Sequence, residues 1–279
     1  MSADQARRDR LVAELQRAAK ARQVLPGFLA RLCDRELSQP GRSDREALKR
    51  AKRALHQVGG AYLAPSMRYD RWLADLADAD PGPARLARVA AILGTHTSMG
   101  ERLGRLGDYY AALFDGVSEP DTILDLACGL NPLGRHLMPV TPRRYLGCDI
   151  YLDLLAFVAS ASELLGHPVE TFPHDLLDGP PERSADLVLL LKTLPCLDQL
   201  DRSVSRQLLA NLDAPTVLVT FPVRSLGGQP KGMRSFYRNR FAEVVDGLDY
   251  AITELDLGIE LGFRLRRLEP GNRPSAPPT

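Results

Sequence analysis

The sequence predicts an α/β protein in which a basic, helical N-terminal region precedes a doubly wound sheet of seven strands. Three observations carry this expectation. Apolar residues recur at helical spacing as far as about residue 115, with Arg and Lys between them. From Thr122 onward, short apolar runs alternate with helical stretches, the order that gathers parallel strands into one sheet. The first such run ends in the small-residue turn Ala127-Cys128-Gly129, followed by Pro132 and a new helical pattern, as at the start of a nucleotide-binding unit.

In chain order, a first helix is expected from Gln5 to about Arg22, with Leu11, Val12, Leu15, Ala18 and Ala19 on one face. Pro26 opens a second helix, carrying Phe28, Leu29, Leu32 and Leu37, which Gln39-Pro40-Gly41 breaks. A third begins at Ser43, with Glu46 three residues on completing a capping box, and runs through Leu48, Ala51, Leu55 and Val58 to Gly59-Gly60. Its outer face carries Arg45, Lys49, Arg50, Lys52 and Arg53. Residues 1–60 thus read as a basic helical bundle and 61–115 as a helical connector, with helices from Ser66 through Leu76, Pro83 to Leu93, and Glu101 to Phe114. On that last helix, Arg102 suits a surface ion pair with Glu101 or Asp108, or a contact with a ligand at the nearby turn.

Residues 116–270 form the α/β domain. Strands are expected at 122–127, 144–149, 168–172, 185–191 and 215–221, with helices at 151–165 and 203–211 between them. Asp249–Leu257 and Glu260–Leu268, joined near Gly258, close the sheet as an antiparallel pair. Residues 271–279 complete a Pro-rich, disordered tail.

Composition narrows the function classes. The chain of 279 residues is 44% hydrophobic and 25% charged, as a globular protein is, and no apolar run approaches the roughly 20 residues of a membrane helix. The polar start MSADQARRDR lacks the apolar core of a signal peptide, so a cytoplasmic location is expected. Cys33, Cys128, Cys148 and Cys196 are scattered without a CxxC pair, which points to reduced thiols and to no metal site. Residues 1–110 carry 20 Lys+Arg against 13 Asp+Glu, and residues 111–279 carry 16 against 22. That asymmetry suits either a polyanion grip beside a chemical half or a solvated helical surface.

The chemistry centres on the turn at Gly129. A dinucleotide pattern needs a second glycine for contact with pyrophosphate, and Asn131-Pro132 stands in its place. With Asp125 preceding it, the turn resembles the S-adenosylmethionine site of class I methyltransferases; an ordinary strand-to-helix connection is the alternative. Asp149 ends the second strand twenty residues after Gly129, where a carboxylate accepts from ribose hydroxyls or caps the next helix. After the third strand, His174-Asp175-Leu176 offers a carboxylate for an adenine amino group, or another N-cap, with Leu176 to pack on the ring.

The fourth strand ends in Leu191-Lys192-Thr193-Leu194-Pro195-Cys196-Leu197, without the Asp/Asn-Pro-Pro-aromatic tetrapeptide of exocyclic amino methylation. Pro195-Cys196 resembles the nucleophile of cytosine C5-methyltransferases, but no acid motif accompanies it, and a cysteine at a helix start also packs as a small apolar residue. Residues 221–240 contain five Arg/Lys and no acid, interleaved with Phe236 and Tyr237, a composition suited to phosphates and an unstacked base.

Together these segments resemble the 16S ribosomal RNA guanine-N7 methyltransferases, which confer aminoglycoside resistance by modifying a guanine of the decoding site. The resemblance lies in His96 to Arg102, Cys128-Gly129-Leu130-Asn131-Pro132, Leu191 to Leu197, Phe221-Pro222, Ser225-Leu226-Gly227-Gly228 and Lys231-Gly232-Met233. It implies a Rossmann-like class I methyltransferase fold, S-adenosyl-L-methionine as cofactor, and 16S rRNA within the 30S subunit as partner, with no membrane or metal. It further implies that Arg102 binds the cofactor carboxylate, Gly129 its methionine part, Asp149 the ribose, and Asp175 with Leu176 the adenine. Ala127, Ile150 and Leu191 would be further cofactor contacts. Lys192, Arg224 and Lys231 would position the target base without a general base. Arg45, Lys49, Arg50, Lys52, Arg53, Arg234, Tyr237 and Arg238 would meet RNA. The chain departs from the family at Gly100, usually basic, and at Tyr151, usually acidic. Methylation of another RNA site or of a small molecule, and a catalytically silent RNA-binding protein, are the rival readings.

Overall fold

The computed structural model describes residues 3–18, 21, 23–60, 67–223 and 232–269. Arg224, Lys231, the Ser225–Gly228 stretch between them and the expected tail 271–279 lie outside the described residues.

Three helices open the chain: α1 (Ala3–Gln16), α2 (Pro26–Leu37) and α3 (Asp44–Leu55). The first stops well short of Arg22, because the chain turns to pair Val24 with Tyr151 of the sheet domain. Pro26 sits in the first turn of α2, where its missing N–H is no loss. The capping box at α3 is present in full, with the Ser43 hydroxyl accepting from Glu46 N and the Glu46 side chain accepting from Ser43 N. A π-helical turn, His56–Gly60, extends α3. Ala47, Ala51, Ala54 and Leu55 are buried against the bundle, while Arg45, Lys49, Arg50, Lys52 and Arg53 are all exposed.

The connector supplies α4 (Tyr69–Ala77), α5 (Pro83–Leu93), α6 (Thr97–Gly100) and α7 (Leu106–Leu113). The single helix expected from Glu101 to Phe114 is instead a turn at Glu101-Arg102, a 3-10 segment Leu103–Arg105 and α7. Gly104 and Gly107 each weaken a continuous helix by about 1 kcal/mol, and the Arg102 side chain turns inward.

The sheet comprises β1 (Thr122–Leu126), β2 (Arg144–Asp149), β3 (Glu170–Pro173), β4 (Leu187–Leu191), β5 (Thr216–Pro222), β6 (Tyr250–Asp256) and β7 (Glu260–Arg267). Its order is β3-β2-β1-β4-β5-β7-β6, with β1 to β5 parallel and β7 antiparallel to both neighbours. The strand β3 starts at Glu170 rather than at Pro168, which has no N–H for a ladder. After β1 the chain forms a 3-10 segment, Asn131–Leu137, where an α-helix was expected.

Between the strands run α8 (Leu152–Leu164), α9 (Leu194–Asp198), α10 (Val204–Asn211) and α11 (Met233–Val245). Leu187 to Leu190 of β4 are wholly buried, as a central parallel strand covered on both faces requires. One face shares a continuous core with α8, the connector and the N-terminal helices, including Leu29, Tyr110, Leu113 and Phe157. The other packs on α10 and α11 through Leu208, Leu209, Phe241 and Phe263. Register places Leu126 beside Cys148, Asp149 beside Pro173 and Asp125 beside Leu189, so the C-terminal ends of β1, β2, β3 and β4 meet at about one level.

Candidate active site

A crevice opens at those strand ends, where the order reverses between β1 and β4, the place at which open α/β sheets hold ligands. The structure brings together there Arg102, Ala127, Gly129, Asp149, Ile150, Asp175, Leu176, Leu191 and Lys192.

Gly129 has φ +51°, and a Cβ on it would lie 3.3 Å from His96 Nε2, so the turn needs glycine both for its backbone and for space. Its N–H donates to Asp149 Oδ2 at 3.1 Å. Among the described residues, the non-glycine positions with positive φ are Ala127 (55°) and Lys192 (60°), which directly follow β1 and β4 beside the crevice. Such conformations cost about 1–3 kcal/mol each and mark places where surrounding structure dictates the backbone.

Asp149 is buried and anchors its own strand end, Oδ1 accepting from Ile150 N at 2.7 Å and Tyr151 N at 3.4 Å. It is not the N-cap of α8, a place Tyr151 takes. Burial pushes its carboxyl above the ordinary value, opposed by these three N–H donors. Asp175, only 4% exposed, does cap a turn: Oδ1 accepts from Leu177 N at 2.9 Å at the head of the 3-10 segment Leu176–Asp178. The Tyr151 hydroxyl is buried at the crevice with no partner among the described residues.

Behind the turn, Asp125 accepts from Tyr145 OH at 2.7 Å and from Asn131 Nδ2 at 2.8 Å, and Asn131 Oδ1 accepts from Tyr110 OH at 2.8 Å. Asn131, which replaces the missing glycine, therefore ties the turn to the core. Burial pushes the Asp125 carboxyl up to about 7 against the hydrogen bonds from Asn131 and Tyr145.

The other end of the crevice is a buried ion cluster. Arg102, 2% exposed, donates from Nε and Nη2 to the two oxygens of Glu260 at 2.7 and 2.9 Å, and its guanidinium lies 4.5 Å from the Tyr109 ring centroid. The expected surface pair with Glu101 or Asp108 is replaced by one with a residue 158 positions away. Tyr109 OH donates to Glu260 at 3.0 Å, and Lys192 Nζ lies 3.3 Å from Glu260 and 2.5 Å from the half-exposed Glu101. Burial would raise the Glu260 carboxyl, but Arg102 and Lys192 hold it below its usual value. Burial first, then the charges of Arg102 and Lys192, lower His96 to about 4, leaving a neutral imidazole at the turn. Two buried cations, Arg102 and Lys192, meet two carboxylates, the buried Glu260 and the half-exposed Glu101. The side chain of Lys192 is thus enclosed in the cluster rather than standing clear of it.

The ribosomal RNA methyltransferase (FmrO) family model matches residues 17–261, from the N-terminal helices to the last strand. The chain belongs to this family. The 16S rRNA (guanine(1405)-N(7))-methyltransferases of Micromonospora echinospora and Frankia casuarinae are 33% and 36% identical to it, over 95% and 93% of this chain and 99% and 93% of theirs. Among solved structures it is similar to the 16S rRNA methyltransferase RmtF in complex with S-adenosyl-L-homocysteine, with a TM-score of 0.80 and 30% identity over 96% of this chain and 99% of that one. The 16S rRNA methylase RmtB has a TM-score of 0.74 and 25% identity over 93% and 98%.

In this member of the FmrO family, several side chains expected to meet RNA have protein partners. Arg234 and Arg238 belong to α11, where Arg234 donates to Asp256 at 3.1 Å and Arg238 forks onto Glu254 at 2.8 and 2.6 Å. A segment free of acids in sequence therefore meets acids from β6 in space. Tyr237 stacks on Phe221 at 5.1 Å, while Phe236 stays 57% exposed. Cys196 borders the crevice, with Sγ 3.6 Å from the Lys192 carbonyl oxygen.

Sequence reading missed Glu260 and the wall residues Phe28 and Val58, and it marked Asn131 only as the residue standing where a second glycine was absent. A signal existed for Glu260 alone, a charge at the head of the otherwise apolar run Leu261-Gly262-Phe263.

Proposed function

We propose that this chain transfers a methyl group from S-adenosyl-L-methionine to N7 of a guanine in the decoding site of 16S rRNA, guanine 1405 in the names of its relatives. It acts on the assembled 30S subunit in the cytoplasm, and aminoglycoside resistance is the consequence. The observation that carries the reading is the convergence of two buried carboxylates, Asp149 and Asp175, and a buried cation, Arg102, on one crevice.

The residues present fit the cofactor. At the crevice the buried Tyr151 hydroxyl has no partner among the described residues, a state that costs about 1–3 kcal/mol and suits a ligand hydrogen bond. Arg102 would hold the cofactor carboxylate, Ala127 and Gly129 the methionine part, Asp149 with Ile150 the ribose, and Asp175, Leu176 and Leu191 the adenine end. When bound, the cofactor supplies an electrophilic methyl group on a positively charged sulfur.

Guanine N7 carries an available lone pair, so no proton must leave before it accepts a methyl group, and the chain needs no general base. The work left to its residues is positioning. Lys192, Arg224 and Lys231 orient the base, and the exposed cations of α3 grip phosphates. Because N7 is stacked in an RNA helix, the base leaves the stack at a cost of roughly a few kcal/mol, which phosphate contacts offset. The methylated base is cationic and repels a polycationic drug.

Incubation with 30S subunits and labelled cofactor, followed by borohydride and aniline cleavage, tests this reading. A single break at guanine 1405 is expected. Label at another base or in a small molecule refutes the assignment, and RNA binding without any label identifies a silent module.

A further inference from the structure

The crevice is walled in part by the N-terminal helices, which the sequence associates only with RNA. Phe28 of α2, 3% exposed, and Val58, in the turn after α3, both line it. Two backbone hydrogen bonds fasten the start of α2 to the segment after β2: Leu25 N–H donates to the Ile150 carbonyl and Leu152 N–H to the Gln23 carbonyl, each at 2.8 Å. Further along α2, Arg31 reaches the segment after β3. Its Nε donates to Asp175 Oδ2 at 2.9 Å, and its Nη2 pairs with Asp178. Residues 23–31 thus hold both strand ends that carry the nucleoside carboxylates.

We propose that Arg31 is a positioning residue of the cofactor site, fixing Asp175 as the acceptor for the nucleoside's exocyclic amino group and making the N-terminal helices part of the pocket. The proposal rests on the crevice being an S-adenosylmethionine site. With Arg31 in place, each Asp175 oxygen holds one protein donor, Leu177 N or Arg31 Nε, and keeps a lone pair for a ligand N–H. Without it, a carboxylate only 4% exposed loses the guanidinium that holds its Oδ2 and turns toward water, which removes the fixed acceptor. The planar fork of Arg31 also spans the turn from Asp175 to Asp178 and so sets Leu176, which a lysine's single ammonium could do only in part.

The test is calorimetric titration of the full chain, wild type and Arg31→Met, with S-adenosylhomocysteine and with its analogue lacking the 6-amino group. The charge-assisted contact should weaken binding of S-adenosylhomocysteine by about tenfold or more in Arg31→Met, leave the deamino analogue equally bound by both proteins, and return in part with Arg31→Lys. Unchanged affinity for S-adenosylhomocysteine, or an equal loss for both ligands, overturns the proposal. Failure of the wild type to bind S-adenosylhomocysteine removes the cofactor reading beneath it.

Discussion

Arg102 stays charged in the interior because Glu260 meets its fork on two sides and Tyr109 satisfies the same carboxylate. A lysine would keep the charge and lose the fork. Arg102→Lys is therefore expected to weaken binding of S-adenosylhomocysteine by about 1.5–3 kcal/mol in calorimetry, the scale of a charge-assisted hydrogen bond, with thermal melting reporting that the fold persists. His96 gives a pH test. Its folded value of about 4 lies below the ordinary 6.5, so the unfolded chain takes up a proton in that window and the native chain does not. This contribution to stability is present above 6.5 and is lost as pH falls toward 4. Asp125, raised by burial to about 7, works in the opposite sense over an overlapping range, losing its contribution as pH rises from 3.8 through 7. Comparison with His96→Gln isolates the first effect: urea unfolding of the variant should show a stability slope lower by up to about 1.4 kcal/mol per pH unit between 4 and 6.5.

Two elements carry locally encoded features whose loss can be measured. Ser43 satisfies the Glu46 N–H at the head of α3, so Ser43→Ala should destabilise the protein by about 1 kcal/mol in urea unfolding. At the end of β1, Gly129→Ala places a Cβ 3.3 Å from His96 Nε2 on a backbone of φ +51°, and should lower the melting temperature and the cofactor affinity together. Both features were legible because each depends on a few consecutive residues: a Ser with Glu three later, and an apolar run ending in a small-residue turn. The connector was less legible. Apolar spacing marked Glu101 to Phe114 as one helix, yet the backbone turns at Arg102 to bury that side chain against Glu260, a partner no local pattern includes.

On the scale of the whole molecule, the N-terminal bundle and the sheet share one core, and the bundle turns its cations outward. Binding to 30S subunits should therefore fall steeply with salt, by roughly 0.9 log units per log unit of salt for each phosphate contacted, and replacing Lys49, Arg50, Lys52 and Arg53 with Ala should flatten that dependence in a filter-binding assay. The strands, the closing antiparallel pair and the two carboxylates were readable from alternating patterns and spacing. The wall formed by Phe28 and Val58, the ion cluster at Glu260 and the acids that meet Arg234 and Arg238 were not, since each arises from contacts between segments far apart in sequence. The proposed cofactor site depends on Asp149 and Asp175 grasping a nucleoside at the strand ends. Titration of S-adenosylhomocysteine into wild type and Asp149→Ala should show one site per wild-type chain and affinity at least about tenfold weaker in the variant; equal binding by the two proteins would overturn the assignment.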